Sequence, residues 1–197
     1  MKETEEYNDL TETLDRIQKM LVRGAADRRS AFRWPVLSTV SNGEARGRII
    51  VLRKFDPEAW QFYCYTDYRS EKVTQIDASP SVQLTFFDPR AMIQIRIAGD
   101  AFIDTSSGWR AEVVKSLPDH SLTDYSSGGA PGTELSTGES EPSFSRERAE
   151  ANFSIVSVRC NCIDYLSLDR EGHRRATFVR SDLAEGTAAF SGSWVVP

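Results

Sequence analysis

The sequence predicts a mostly β protein, an antiparallel barrel with peripheral helices. Short apolar or alternating runs rich in β-branched and aromatic residues recur through the middle and end of the chain, and turn residues punctuate them. Strand follows strand with few helices between, which argues against a doubly wound sheet. The length, 197 residues, suits one domain over 1–197 with a core large enough to need neither disulfides nor metal.

Residues 3–23 read as a helix, because Leu10, Leu14, Ile17 and Leu21 recur at spacings of four and three, with Gly24 as its stop. The N-terminal helical region is thus 1–24. Val36–Val40, Gly47–Leu52 and Trp60–Tyr65 read as strands, with turns at Ser41-Asn42-Gly43 and Asp56-Pro57-Glu58. Ser70–Ala78 reads as a short helix closed by Ser79-Pro80. Val82–Phe87 and Met92–Ile103 are two further strands around a turn at Asp88-Pro89-Arg90. Trp109–Leu117 and Phe144–Asn152 are helical, and 118–143, rich in Ser, Gly, Pro and Thr, is expected to be a flexible lid or disordered segment. Phe153–Leu168, Arg174–Arg180 and Ala188–Val196 supply the final strands, making about seven in all.

Acidic residues outnumber basic ones, 29 to 24, for a net charge of −5, which argues against a nucleic-acid binder. There is no apolar run long enough to span a membrane. The acidic, amphipathic N-terminus is not a signal peptide, so a cytoplasmic location is expected. Cys64, Cys160 and Cys162 are too few for a disulfide framework and lack CxxC spacing; they read as small reduced hydrophobes. His120 and His173 are the only histidines, so no His-rich metal site is expected, and no GxSxG elbow marks a serine nucleophile.

Three stretches carry chemistry. Arg48-Ile49-Ile50-Val51-Leu52-Arg53 reads as a strand with arginines on opposite faces, about 17 Å apart, and a central backbone able to serve a flat ligand edge. Tyr65-Thr66-Asp67-Tyr68-Arg69-Ser70-Glu71-Lys72 runs from a strand into a helix. The free N–H groups of its first turn attract anions, and Arg69, Ser70 and Lys72, with Arg48 alongside, make a phosphate cradle without a glycine-rich loop. In Gln94-Ile95-Arg96-Ile97-Ala98-Gly99, Gln94 and Arg96 share one strand face; the Gln94 amide offers both a donor and an acceptor to a heterocycle edge.

Taken together, these stretches resemble the pyridoxamine 5′-phosphate oxidase-like, FMN-binding split-barrel family. Its pattern is an Arg-x-Val-Leu-Leu-Lys strand, a Tyr-Thr turn, Ser-x-Lys on the next helix and Gln-x-Arg-x-x-Gly on a later strand. Here these are Arg48–Arg53, Tyr65-Thr66, Ser70-Glu71-Lys72 and Gln94–Gly99, in the same order and at the same spacings. Thr66–Lys72 and His173-Arg174-Arg175 look closest to the oxidase-related flavin-binding branch rather than to the oxidases proper.

The resemblance implies a split β-barrel homodimer with FMN at the interface and a small-molecule substrate. It assigns the phosphate to Arg48, Ser70 and Lys72, with Arg69 helping. Ile49, Ile50, Val51, Leu52, Tyr65 and Thr66 would line the ribityl chain and ring, and Gln94 would approach the ring from either subunit. Arg53 stands where the family has a lysine near the ring, a cation suited to negative charge on the reduced flavin. Arg174 or Arg175 would reach the flavin from the C-terminal strands. No side chain is assigned as catalytic, since hydride transfer to a flavin needs no obligatory protein base.

Two departures stand out. Glu71 replaces the arginine of Ser-Arg-Lys. The Tyr, Arg and Ser that grip the substrate phosphate at four-residue spacing are reduced, within Val113–Ser121, to a serine. Losing that arginine forfeits a charge-assisted contact of about 1.5–3 kcal/mol, so the expected substrate is not pyridoxamine phosphate. Asp119, His120 and Tyr125 are candidates on the lid. The leading expectation is an FMN-dependent oxidoreductase; the alternative is a non-catalytic FMN-binding, redox-sensing or stress protein. A haem-binding split barrel is disfavoured, because haem has no use for Arg48, Ser70 and Lys72 together.

Overall fold

The computed structural model describes residues 9–134, 142–169, 172–182 and 188–197, the side chain of residue 182 excepted. Nine antiparallel strands form one sheet: β1 (Val36–Ser41), β2 (Glu44–Ile49), β3 (Leu52–Asp56), β4 (Gln61–Asp67), β5 (Ser81–Asp88), β6 (Ile93–Asp104), β7 (Phe153–Ser167), β8 (Arg174–Asp182) and β9 (Ala188–Val195). The order is β2-β1-β5-β6-β7-β4-β3, with β8 and β9 branching from β7. The β1–β2 hairpin turns on Asn42 (φ 53°) and Gly43 (φ 80°), the two-residue left-handed loop that Asn-Gly favours.

The split originates in β7. One edge of β7 pairs with β6 along its length; the other is shared, β4 taking 153–159 and β8 taking 162–167. The division falls at a bulge, where the register steps from Ala98↔Cys162 to Gly99↔Cys160. Gly99 permits it: a Cβ there would lie 2.0 Å from the Arg159 carbonyl oxygen.

Alternation decides which face is core. Leu37 on β1, Leu84 and Phe86 on β5 and Ile93, Ile95 and Ile97 on β6 are buried, while Gln94 and Arg96 lie on the opposite face. Among the described residues the sheet wraps on itself without closing by hydrogen bonds. Phe62 of β4 meets Phe86 of β5 at 6.0 Å between ring centroids, although β6 and β7 separate those strands in the sheet. Each fully buried phenylalanine contributes about 1.5–3 kcal/mol by leaving water. Helix α1 (Leu10–Ala26), capped by Asp9, covers this core with Ile17 and Leu21.

A second cluster lies on the other side of β4 and β7. There α3 (Gly108–Ser116), α4 (Asp119–Leu122) and α5 (Arg146–Asn152) form a cap whose Val114, Leu122 and Ala149 pack with Phe153 and Ile155. Arginines fasten it: Arg110 to the Phe153 and Glu150 carbonyls, Arg146 to the carbonyls of Val114 and Leu117, and Arg148 to those of Ser126 and Ser143.

The structure corrects several expectations. Gly47–Leu52 is not one strand: β2 ends at Ile49 and β3 starts at Leu52, because the chain leaves β1 to pair with β4. Arg48 and Arg53 therefore sit on different strands. The described strands number nine, not about seven. Gly24 does not stop α1, which runs to Ala26; it admits the close approach of Phe32, whose carbonyl oxygen a Cβ would meet at 2.8 Å. Of the expected lid 118–143, residues 119–122 are helical and 123–125 form a 3₁₀ turn with Leu122 buried; 135–141 lie outside the described residues. The helix expected from residue 3 is described from Leu10.

Candidate functional site

Three elements meet at one end of the barrel: β2, the end of β4 and the start of helix α2 (Glu71–Ala78). The Asp67–Ser70 turn joins the last two, with Ser70 N donating to the Asp67 carbonyl at 3.1 Å. Ser70 is the N-terminal flanking residue of α2, yet its hydroxyl caps no helix N–H; it donates to the Asp67 carbonyl at 2.7 Å. The α2 amino end and its positive dipole end are thereby left to other partners.

Lys72 reaches back over this turn. Its Nζ donates to Thr66 Oγ1 and Ser70 Oγ, both at 2.9 Å, and the two hydroxyls lie 3.3 Å apart. Thr66 and Ser70 are buried. Burial and the Arg48 charge push the Lys72 ammonium below its usual pKa, against a smaller opposing effect of Asp67. Arg48 lies opposite Leu37 and so shares the core-facing side of β1 and β2. Its Nη1 donates to Thr39 Oγ1 at 2.6 Å and its Nη2 to Gln75 Oε1 at 2.8 Å. Burial lowers its pKa too, with Glu71 opposing.

The structure thus brings Arg48, Thr66, Ser70 and Lys72 together. Two partly desolvated cations that disfavour each other, two hydroxyls and a helix amino end fit a phosphate, which would relieve the repulsion and accept from every donor. Arg69 is directed elsewhere. Its Nη2 pairs with Asp67 at 2.6 Å and its Nη1 reaches the Ser127 carbonyl at 3.3 Å, tying the cap to the turn. Asp67, almost fully buried, is held by that pair.

The remaining candidates spread outward. Ile49 is 68% exposed, Ile50 packs against the core, Val51 is half-buried and Leu52 is fully buried, so Leu52 can offer a ligand only backbone. Arg53 lies over the Tyr65 ring at 5.3 Å. Burial raises the Tyr65 pKa against Arg53 and Arg33. Tyr125, under the cap, stacks edge-on against Phe153 and is pushed up to about 12 by burial, with Arg53 opposing. Asp119 pairs with Arg146 at 2.6 Å, a cap contact, and His120 is exposed.

Gln94 is half-buried on the outer sheet face, away from Arg48 on the core-facing side. Arg175 donates to Asp164, which also accepts from Arg96, at 2.7 and 2.5 Å. Arg174 precedes it on β8, opposite Ser167. Thr39, Gln75 and Asp164 were missed by sequence reasoning. Gln75 carried one signal, lying three residues after Lys72 and so beside it on the helix. Among the described residues no cluster of His, Cys, Asp and Glu could hold a metal, and no helix is long and apolar enough to cross a membrane.

Comparison with known proteins agrees with this geometry. Residues 15–105 match the family model described as pyridoxamine 5′-phosphate oxidase, FMN-binding domain. A pyridoxine/pyridoxamine 5′-phosphate oxidase of Flavobacterium johnsoniae is 41% identical over 66 residues, 33% of this chain and 30% of that protein. One from Hydrogenovibrio crunogenus is 42% identical over 64 residues, 32% and 29% of the respective chains. The match thus takes in less than a third of these relatives' length. A pyridoxamine 5′-phosphate oxidase-related, FMN-binding protein of Nostoc punctiforme superposes with a TM-score of 0.73 at 25% identity, over 93% of this chain and 96% of its own. PhzG of Burkholderia lata, solved with tetrahydrophenazine-1-carboxylic acid, shares the fold (TM-score 0.66, 14% identity, 95% and 90% coverage). The motifs, the matched FMN-binding segment over residues 15–105 and the near end-to-end likeness of fold make this chain similar to the pyridoxamine 5′-phosphate oxidase-related, FMN-binding proteins.

Proposed function

We propose that this protein is an FMN-dependent oxidoreductase acting on a small molecule other than pyridoxamine phosphate. The observation that supports it most is Lys72 reaching the Thr66 and Ser70 hydroxyls at the start of α2 with the Arg48 charge close enough to act on its ammonium, within a segment that matches an FMN-binding domain. Arg48, Ser70 and Lys72 hold the phosphate, and the 49–52 backbone with Tyr65 and Thr66 flanks the rest of the cofactor. Arg53, over Tyr65, supplies positive charge near the ring. Bound FMN supplies two-electron transfer, which no side chain of the chain could supply alone. The cap, with Tyr125 against Phe153, excludes water on the β4 side.

The reading includes a homodimer. The outer sheet face leaves Ile49, Phe87 and Val179 exposed at 68%, 44% and 55%. A second copy would cover these side chains. Gln94 stands on that face, on the opposite side of the sheet from Arg48, so it serves the cofactor of the second copy. The Val113–Ser121 stretch offers no arginine for a substrate phosphate, which supports a substrate without one.

The test starts from the purified protein mixed with FMN. Stoichiometric binding, a dimeric mass and donor-dependent bleaching of the flavin absorbance are expected. The Arg48→Ala/Lys72→Ala double variant should stay folded and lose FMN. Normal flavin content in that variant would overturn the phosphate assignment; tight FMN binding with no turnover by any electron donor would overturn the enzymatic reading.

A further inference from the structure

Arg48 is held by two buried residues with no assigned role. Thr39 on β1 is 1% exposed and Gln75 on α2 is 8% exposed. Arg48 Nη1 donates to Thr39 Oγ1 and Nη2 to Gln75 Oε1, at 2.6 and 2.8 Å. The Thr39 hydroxyl in turn donates to the same Gln75 oxygen at 2.6 Å. A guanidinium carries only donors, so the Gln75 amide must turn its oxygen toward it. Its NH2 group then donates to no protein acceptor among the described residues, and it lies one helical turn from Lys72.

We propose that Gln75, backed by Thr39, is the positioning residue that aims Arg48 and so makes the site select a phosphorylated flavin over an unphosphorylated one. The proposal rests on the FMN reading above. An unheld arginine has many rotamers, and ordering it before the ligand arrives removes a cost from binding. The chemistry of the holder matters as much as its place. A neutral amide fixes the guanidinium and leaves its charge for the phosphate. A carboxylate there would hold Arg48 as firmly but neutralise it and compete with the ligand.

The experiment measures FMN and riboflavin affinities for the wild type, Gln75→Ala, Gln75→Glu, Arg48→Ala and the Gln75→Ala/Arg48→Ala pair. Wild type should prefer FMN. Gln75→Ala should weaken FMN binding about tenfold and leave riboflavin unchanged, because only the phosphate contact depends on Arg48. Gln75→Glu should weaken FMN at least as much while melting at the wild-type temperature. Once Arg48 is alanine, Gln75→Ala should cost nothing more.

Equal losses for FMN and riboflavin would show a merely structural role and overturn the proposal. So would full additivity in the double variant, or wild-type FMN affinity in Gln75→Glu. If Arg48→Ala abolishes the FMN preference and Gln75→Ala keeps it, the positioning role alone fails. If the wild type has no FMN preference, the phosphate reading itself fails, and this inference with it.

Discussion

Replacing Lys72 with methionine separates what the lysine does for the fold from what it does for a ligand. Without a phosphate, Nζ donates to Thr66 Oγ1 and Ser70 Oγ. Two such charge-assisted hydrogen bonds contribute about 1.5–3 kcal/mol each. Against them stands the cost of a desolvated ammonium facing Arg48, the same burial and charge that lower its pKa, and in general a penalty of several kcal/mol for a desolvated ion. Thr66 and Ser70 keep their contact with each other, and Ser70 keeps its bond to the Asp67 carbonyl, so no hydroxyl is orphaned. Methionine conserves the side chain's volume, and the net change in cofactor-free stability should stay within about 1 kcal/mol.

The ligand-bound side differs. A charge-assisted bond to phosphate is lost, about 1.5–3 kcal/mol, which raises the FMN dissociation constant about 10- to 150-fold. Thermal melting of the cofactor-free protein and a flavin fluorescence titration measure the two sides. A variant that melts several kcal/mol less stable and binds FMN normally would refute the reasoning and make Lys72 a structural residue.

The same lysine sets a pH dependence. Its folded pKa lies below the ordinary 10.5, so the unfolded chain binds more protons between those two values. The cofactor-free protein therefore gains stability as pH rises through that window, and FMN affinity falls over the same range as the ammonium deprotonates. In Lys72→Met both slopes should vanish.

Two further outcomes concern the frame around the site. Asp164 is partly buried, which raises its pKa, but hydrogen bonds from Arg175 and Arg96 outweigh this and hold it below 3.8. Its contribution to stability is therefore present above 3.8 and lost as pH falls through its lowered pKa. Asp164→Asn should cost about 1–3 kcal/mol, less than a fully buried pair because both arginines are about a third exposed, and should flatten the acid limb of a denaturant-midpoint profile. Gly99→Ala pushes a Cβ into the Arg159 carbonyl at the bulge. A loss of about 1–3 kcal/mol is expected, or about 2–4 °C of melting temperature per kcal/mol; an unchanged melting curve would show that the β6–β7 crossing has slack.

The sequence and the structure agree most where the determinant is local. Ile93, Ile95 and Ile97 alternate with Gln94 and Arg96, and the strand follows with its faces as read. Asn42-Gly43 makes the tight hairpin its left-handed preference dictates. Ser70, Lys72 and the helix start were legible because a two-residue spacing acts within one turn, although the Ser70 hydroxyl caps no helix N–H. The break at Ile50-Val51 was not, because an apolar run looks the same whether it pairs with one neighbour or changes partners midway. The cap at 119–125 was hidden by its loop-like composition; it is helical because Leu122 has a hydrophobic cluster to enter.

What was written locally in this chain is the alternation, the turns and the cation-and-hydroxyl motif. What awaited the tertiary structure is partnership. Arg69, expected beside Ser70 and Lys72, is drawn to Asp67 and Ser127. Arg175 is taken up by Asp164, and Arg48 is aimed by Gln75 and Thr39. A charged side chain seeks whichever acceptor the fold places within reach, and that choice depends on contacts made across strands and helices far apart in the chain. Local propensity carries no record of them.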